Sequence, residues 1–188
     1  MANFWSTNNV EPKRNFRFKV QITGLTNAGA DTDVVWWAKT VTTPSFDVSE
    51  VEHNYLDNKF YFPGRVSWNE VSMTLVDPIS IDAVAVTNQL LVNSGYSVKA
   101  NTNNLKTMSK KKSTTAGIQQ ITIEILDAEG KSIETWTLKQ PFIKSAKYGD
   151  LDYSSDDLRT VEMTFRYDWA TCDASNNPNG PQGIYFDA

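Results

Sequence analysis

The stretch WWAKTVTTPSFDVSEVEHNYLDNKFYFPGRVSWNEVSMTLVD, residues 36 to 77, decides how this chain folds. It holds three runs rich in β-branched and aromatic residues, which are typical of strands, and a Phe-Pro-Gly corner. Residues 46–55 and 59–62 are predicted to form a hairpin that turns at residues 56–58. The consecutive aromatics Phe60, Tyr61 and Phe62 place aromatic surface on both faces of a strand. One face can pack on the chain's own domain, and the other is predicted to need a second chain.

Alternation of apolar and polar residues predicts further strands on both sides of this stretch. The first, residues 14–22, places on one face the apolar residues Phe16, Phe18, Val20 and Ile22. The others are predicted at residues 34–43, 66–76, 118–126, 131–139, 142–149 and 158–169. Pro63-Gly64 is predicted to end the hairpin. Trp68 is out of phase with the strand that follows, which indicates a bulge or a twist near Asn69.

One helix is predicted directly after residue 76. Asp77 suits the N-cap position and Pro78 the first helical position. The helix is predicted to end at Gly95, and its apolar face consists of Ile79, Ala83, Val86 and Leu90. Several strands and one helix, without alternation between them, predict a mainly β fold. We expect an antiparallel β-sandwich or barrel with one flanking α-helix.

The 188 residues are most simply organised as one domain with two arms. Residues 1–13 are predicted to form an N-terminal arm whose large apolar groups are Phe4 and Trp5. Residues 14–172 are predicted to form the β domain, which includes a long basic loop at 97–117. Residues 173–188 read as a C-terminal arm, rich in Asn, Pro and Gly, with an apolar tip.

Composition and charge indicate which broad classes of protein this chain does not resemble. The chain is 40% hydrophobic, has no apolar run long enough to span a bilayer and does not begin like a signal peptide, so a soluble protein made in a cytoplasm is expected. Its net charge is −4, and the 97–117 loop carries five lysines and no acid, which leaves −9 on the rest. An acidic body of this kind does not favour a nucleic-acid-binding surface.

Motifs that carry chemistry are missing from the sequence. It contains no G-x-S-x-G, no phosphate-binding loop, no dinucleotide fingerprint and no HExxH. The single Cys172 and single His53 leave little for zinc binding or general base catalysis. The aspartates of residues 150–157 lack the ligand spacing of an EF-hand, which favours a solvated turn. We therefore expect no enzyme, no cofactor and no metal.

In the order and spacing of its segments the chain resembles the inner tail tube proteins of contractile-tailed bacteriophages, a family related in fold to the Hcp tube proteins of type VI secretion. The matching segments lie within residues 15–169: NFRFKVQITG, WWAKTVTTP, YFPGRVSWNEVSMTLVD with the helix that follows it, and LKQPFIKSAKYGDLDYSSDDLRTVEMTFRYDW. The 97–117 loop and the tail from Asp173 have no counterpart in the pattern. They could mark a specialised member, such as a baseplate-proximal tube initiator.

The resemblance implies an assembly. Subunits of such tubes form homo-hexameric rings in which strands from all members pair into one channel-lining β-barrel, and the rings stack into a tube. The partners it implies are the sheath protein, the baseplate and tail terminator proteins, with DNA passing through the lumen without specific binding. The expected location is the virion, after assembly in the host cytoplasm. A tube initiator, or a tube protein of a phage-like contractile injection system, is the alternative.

Three groups of residues are assigned roles in that assembly. The predicted inter-subunit hairpin uses Phe46, Val48, Val51, Tyr55, Phe60, Tyr61 and Phe62. Glu50 and Glu52 share one face of a strand and are predicted to line the channel, because a carboxylate wall lets DNA slide where a lysine wall would hold it. The basic loop is predicted to lie outside the tube and to dock on sheath or adjacent-ring carboxylates through Lys110, Lys111 and Lys112.

A carbohydrate-binding β-sandwich is the alternative from another class. Six tryptophans and seven tyrosines offer rings on which sugars could stack. Trp136 and Trp169 fall in the core-like phase of their strands, which weakens this interpretation. A hydrolase on a β scaffold is the least favoured hypothesis.

Overall fold

A computed structural model describes residues 12–23, 38–79, 82–97, 107–176 and 183–187. Most of the predicted N-terminal arm, with Phe4 and Trp5, lies outside the described residues. So do the first part of the strand predicted at 34–43, positions 98–106 of the predicted basic loop, and residues 177–182 and 188 of the predicted C-terminal arm.

The described residues form eleven strands and two helices. The strands are β1 (Phe18–Thr23), β2 (Ala38–Val41), β3 (Phe46–Tyr55), β4 (Asn58–Trp68), β5 (Val71–Val76), β6 (Gln120–Leu126), β7 (Ser132–Lys139), β8 (Phe142–Lys147), β9 (Thr160–Arg166), β10 (Trp169–Asp173) and β11 (Ile184–Tyr185). The helices are α1 (Ala83–Asn93) and α2 (Lys110–Ala116).

These strands make three antiparallel sheets. A five-stranded sheet has the order β1-β6-β7-β10-β11, a four-stranded sheet the order β2-β5-β9-β8, and β3 pairs with β4 alone. The predicted mainly β, antiparallel architecture is confirmed. A second helix, α2, stands where the sequence predicted only a loop.

The core lies between the two larger sheets. Each sheet turns one set of alternating side chains inward, so the sheets bury each other's apolar faces. The five-stranded sheet contributes Val20, Ile22, Ile121, Ile123, Leu138 and Ala170, and the four-stranded sheet contributes Val71, Met73, Leu75, Val161, Met163 and Phe165. Helix α1 covers this core with Ala83 and Leu90.

The strand predicted at 158–169 is two strands in different sheets. β9 ends at Arg166, and the chain crosses to the five-stranded sheet, where the Asp168 amide donates to the Lys139 carbonyl at 3.1 Å. The sequence predicted one strand because burial alternates without interruption through the crossing: Phe165 and Tyr167 are both buried. That prediction was wrong. A period of two therefore does not reveal the change of sheet.

Two other predicted boundaries also differ. β1 begins at Phe18, since the preceding residues form a turn in which the Arg17 amide donates to the Arg14 carbonyl at 3.2 Å. Phe16, predicted to be inward, is 75% exposed. At the other boundary, the out-of-phase Trp68 marks the end of β4, where Asn69 anchors the corner through its amide to the Ser45 carbonyl at 2.8 Å.

Helix α1 starts later than predicted. Its N-cap is Asp82, whose carboxylate accepts from the Ala85 amide, while Asp77 accepts from the Ala83 amide at 2.9 Å from outside the helix. Asp77 also pairs with Arg159 at 3.3 Å, which ties the start of the helix to β9. Ile79 is therefore outside the helix and fully exposed, contrary to prediction. The predicted stop is confirmed: Gly95 follows the Ser94 cap with φ +102°.

Two phenylalanines offer a matched test of this architecture. Phe165 is fully buried between the sheets, and Phe62 on the hairpin is 56% exposed. We expect Phe165→Ala to lower the free energy of unfolding by about 3–5 kcal/mol, because it leaves a cavity. Phe62→Ala should change it by about 0.5 kcal/mol or less. Urea unfolding of dilute protein, followed by circular dichroism, measures both; equal losses would contradict this packing.

Candidate assembly surface

The hairpin β3–β4 stands apart from the two packed sheets. Within the described part of the chain its strands pair only with each other, and every residue from 46 to 67 is exposed. Ten residues of strand span about 33 Å. Isolated two-stranded hairpins are marginally stable in water, so a ribbon of this length needs support from elsewhere.

The hairpin runs further than the sequence predicted. Pro63-Gly64 was expected to end it, but β4 continues to Trp68. Pairing shifts between Val48 and Glu50, where β4 holds one extra residue, and the Arg65 amide donates to Ser49 Oγ at 2.8 Å. A Cβ on Gly64 would lie 2.3 Å from Ser49 Oγ, so only glycine fits this bulge.

The tip is a two-residue turn. Tyr55 pairs with Asn58, and Leu56 has φ +51°. Tight hairpin turns need positive φ at this position, which Asn, Asp and Gly adopt most easily. Leucine is strained there and is 86% exposed, so it adds apolar surface at the tip at a cost to the turn.

The outer half of the hairpin has one apolar and one polar face. Cross-strand pairs share a face, and the pairs Val51–Phe62 and His53–Phe60 alternate with Glu50–Pro63 and Glu52–Tyr61. Phe60 and Phe62 therefore lie on one face and Tyr61 on the other, and the three are 49%, 56% and 57% exposed. The prediction of aromatic surface on both faces is confirmed. The expectation that one whole face packs on the chain's own domain is wrong for this outer half.

The base of the hairpin is anchored by an aromatic cluster. The ring of Trp68 lies 5.5 Å from that of Phe46 and 5.4 Å from that of Phe186, in edge-to-face arrangements, and 6.1 Å from Tyr167. Phe186 follows β11, which pairs with β10 at the edge of the five-stranded sheet. The end of the predicted C-terminal arm thus docks on the hairpin base of its own chain. Such aromatic pairs contribute about 0.5–1.5 kcal/mol each beyond burial.

Glu50 and Glu52 lie on the same face, as their spacing predicted, and both are exposed. Lys59 pairs with Glu52 at 2.9 Å across the strands, so the carboxylates are partly balanced. At the hairpin base, Val48 and Val66 share their face, and both are about half exposed.

The three predicted docking lysines lie on α2, contrary to the predicted loop. They occupy its first turn, after the N-cap Ser109, and all are exposed. Lys110 pairs with Asp168 at 2.5 Å, and among the described residues Lys111 and Lys112 have no ion pair. Cations in the first turn oppose the helix dipole, so this placement costs helix stability.

A second polar surface is the outward face of the four-stranded sheet. The side chains that alternate with the core on this face are mainly hydroxyls with one acid and one base, and they surround a depression of about 270 Å³. They are Ser72, Thr74, Ser145, Lys147, Glu162 and Thr164. Sequence reasoning did not single out this face, because short hydroxyl side chains on the exposed side of a strand carry no distinctive signal.

The described residues contain no group of three His, Cys, Asp or Glu side chains placed to hold a metal ion. Cys172 is buried, and burial, together with the nearby Glu134 carboxylate, raises the pKa of its thiol. His53 sits on the exposed hairpin among apolar neighbours. No helix in this part of the chain is long and apolar enough to cross a bilayer.

Comparison with known proteins reveals the fold. No family model matches the chain, and no curated protein matches it. Among solved structures, the tube-terminating cap of the anti-feeding prophage is similar with a TM-score of 0.62 at 15% identity, covering 93% of this chain and 99% of that one. The sheath–tube complex of the extracellular contractile injection system PVC gives 0.58 at 18% identity, covering 93% and 99%. A type six secretion system protein gives 0.51 at 8% identity, covering 89% and 91%.

The chain therefore has the fold shared by tube and cap proteins of contractile injection systems. The predicted resemblance is confirmed at the level of fold.

Proposed function

We propose that this chain is a structural subunit, not an enzyme, of the inner tube of a contractile tail or injection system. In this proposal copies assemble through the hairpin into six-membered rings, and the rings stack around a channel. The exposed hairpin is the observation that carries the proposal. The likeness in fold to the anti-feeding prophage cap and the PVC tube complex supports it.

The apolar side chains of the hairpin explain why assembly is favourable. Seven are predicted contact residues, and the structure adds Leu56 and Val66; their exposed fractions range from 43% to 86%. Full burial of one such side chain contributes about 1.5–3 kcal/mol, so a few suffice to offset the entropy lost on association. A neighbouring copy that covers the face of Phe60 and Phe62 would also cover an open strand edge, which otherwise promotes aggregation.

A closed ring fits the geometry of the four-stranded sheet. Its edges, β2 and β8, are different strands, so contact between the β2 edge of one copy and the β8 edge of the next would be head-to-tail. Head-to-tail contacts that close by rotation generate rings.

Our first candidate for the machine is a contractile phage tail whose tube conducts DNA during ejection. A second is an effector-delivering contractile injection system, at the tube, cap or baseplate-proximal position. The likeness to the anti-feeding prophage cap and to the PVC sheath–tube complex favours this second candidate. A carbohydrate-binding module is disfavoured, because the described tryptophans, Trp68, Trp136 and Trp169, are half-buried and not free to stack on a sugar.

The channel wall is assigned to Glu50 and Glu52. Their carboxylates would repel phosphates, so DNA would pass without being held. The hydroxyl-rich outer face of the four-stranded sheet is the competing wall, since a closed barrel of such sheets would turn that face toward an axis.

The exterior docking site is assigned to Lys111 and Lys112, with Lys110 partly occupied by Asp168. Their unfavourable position at the start of a helix is explained if they serve a partner, such as carboxylates of sheath or of an adjacent ring.

Removal of hairpin aromatics should prevent assembly. Each side chain contributes about 1.5–3 kcal/mol when buried, so Phe60→Ser with Phe62→Ser should weaken association about 100-fold or more. Negative-stain microscopy and sedimentation velocity measure ring formation, and circular dichroism checks the fold. Ile79→Ser removes an apolar side chain that is even more exposed, but lies away from the hairpin, and should leave assembly unchanged. Rings in the double variant, or wild-type protein that stays monomeric, would contradict the proposal.

Charge reversal should identify the channel wall. In assembled particles, Glu50→Lys with Glu52→Lys should slow delivery of DNA without stopping tube assembly, because lysines retain phosphates. The matched pair Thr74→Lys with Thr164→Lys tests the sheet face. If only this second pair slows delivery, as timed by DNA release, the wall belongs to the sheet and the hairpin assignment is wrong.

Neutralising the helix lysines should weaken sheath attachment. Lys111→Ala with Lys112→Ala is expected to reduce sheath assembly on preformed tubes, and the difference from wild type should shrink as salt is raised, because salt screens the wild-type attraction. Cosedimentation of sheath with tubes at several salt concentrations measures this. Lys131→Ala, in an exposed turn, is the control. Unaltered cosedimentation at every salt concentration would exclude the docking role.

A further inference from the structure

A groove of about 640 Å³ opens where the two sheets of the sandwich diverge. It lies between β1, at one edge of the five-stranded sheet, and β2, at one edge of the four-stranded sheet. Its apolar lining consists of Phe18, Val41, Ile123 and Ile125. The residues just before β1 and just after β2 complete the walls.

The groove is strongly basic. Among the described residues, four cations and no acid line it: Lys13, Arg14, Arg17 and Lys39. Lys13 pairs with Glu134, and the guanidinium of Arg17 lies 5.5 Å from the ring centre of Phe16. Arg14 and Lys39 have no ion pair among the described residues. Two positive charges beside apolar surface fit an acidic segment that also carries apolar side chains.

The chain itself contains such a segment. Residues 150–157, which connect β8 to β9, hold four aspartates and no base. Leu151 is 81% exposed and Tyr153 fully exposed, although both are large apolar groups. The Asp152 carboxylate accepts from the Ser154 amide at 2.9 Å, which shapes the turn and lowers the pKa of Asp152. The segment is therefore acidic, ordered in shape and apolar at two points.

The groove and the acidic segment belong to opposite edges of one sheet. The groove borders β2, and the segment joins the end of β8, the opposite edge strand, to the start of β9 beside it. Among the described residues of one chain, no ion pair joins the two. In a head-to-tail arrangement of copies, the β2 edge of one faces the β8 edge of the next.

We infer that this groove receives the acidic segment, residues 150–157, of a second copy of the chain. Leu151 and Tyr153 cover the apolar floor, and the aspartates pair with Arg14 and Lys39. This inference rests on the proposed function, because the second copy is the neighbour in the ring. It adds a contact that is separate from the hairpin.

Two charge-reversed variants test the contact. Arg14→Glu with Lys39→Glu reverses the charge at the two groove residues without an ion pair, and Asp150→Lys with Asp152→Lys reverses the charge at two of the segment's four aspartates. Each variant alone should associate at least tenfold more weakly than wild type at low salt, because like charges then face each other. An equimolar mixture should regain assembly, since each variant's altered surface matches the other's. Lys131→Glu controls for a general effect of charge reversal.

The possible results separate the two proposals. If wild type and both variants form rings equally well, the groove contact is wrong and the proposed function stands. If each variant is weakened but the mixture is not rescued, the groove contact is also wrong. If wild type forms no rings, both proposals fall.

A photo-crosslink identifies the occupant of the groove. With p-benzoylphenylalanine at the groove-lining Thr43, assembled protein should yield adducts to residues 150–158 of another copy, located by mass spectrometry. Adducts to the hairpin or to residues 1–11 would overturn the inference.

Discussion

The backbone groups along both sides of every strand need hydrogen-bond partners, and the described part of the chain provides too few neighbouring strands. Backbone amides and carbonyls at a strand edge must pair with water or with another strand. Within the described residues the two larger sheets end at β1, β11, β2 and β8, and both hairpin strands have a free edge. The sandwich core buries the sheets' inner faces, but it provides no hydrogen-bond partners for these edge strands. The exposed hairpin, the asymmetric sheet edges and the basic groove all follow from it.

Local chemistry predicts much of the fold. Alternation identifies the buried faces of β5, β6 and β9, and Gly95 marks the end of α1 because its positive φ is available to glycine. The features that local chemistry does not predict are the change of sheet, the second helix and the length of β4. The crossing at Tyr167-Asp168 keeps the alternation intact, and α2 is built from Lys, Ser and Thr, which have no helical apolar pattern. The continuation of β4 past Pro63 depends on a bulge that no propensity encodes.

The sequence predicts that the hairpin exposes aromatic surface, but not which further residues belong to that surface. A run of Phe60, Tyr61 and Phe62 must expose aromatic rings on one face of a strand or the other, whatever surrounds it. Leu56 was predicted to lie in the turn but was not counted among the contact residues, and its exposed apolar side chain is seen only in the structure. Phe186 was assigned only to an apolar tip, since its contact with Trp68 joins residues more than a hundred positions apart. Which surface faces an axis depends on other copies, and one sequence does not encode their placement locally.

The bulge opposite Ser49 divides the hairpin into a base and an outer half. Because β4 holds one extra residue there, Val66 and Trp68 lie on the face of Glu50, whereas Phe60 and Phe62 lie on the opposite face with Val51. Deletion of that residue would leave the same cross-strand partners and restore a regular ladder, so these side chains would keep their faces. What the deletion would remove is the bend and the added twist that a bulge gives its strand. The bulge therefore sets the direction in which the outer half of the hairpin leaves its base.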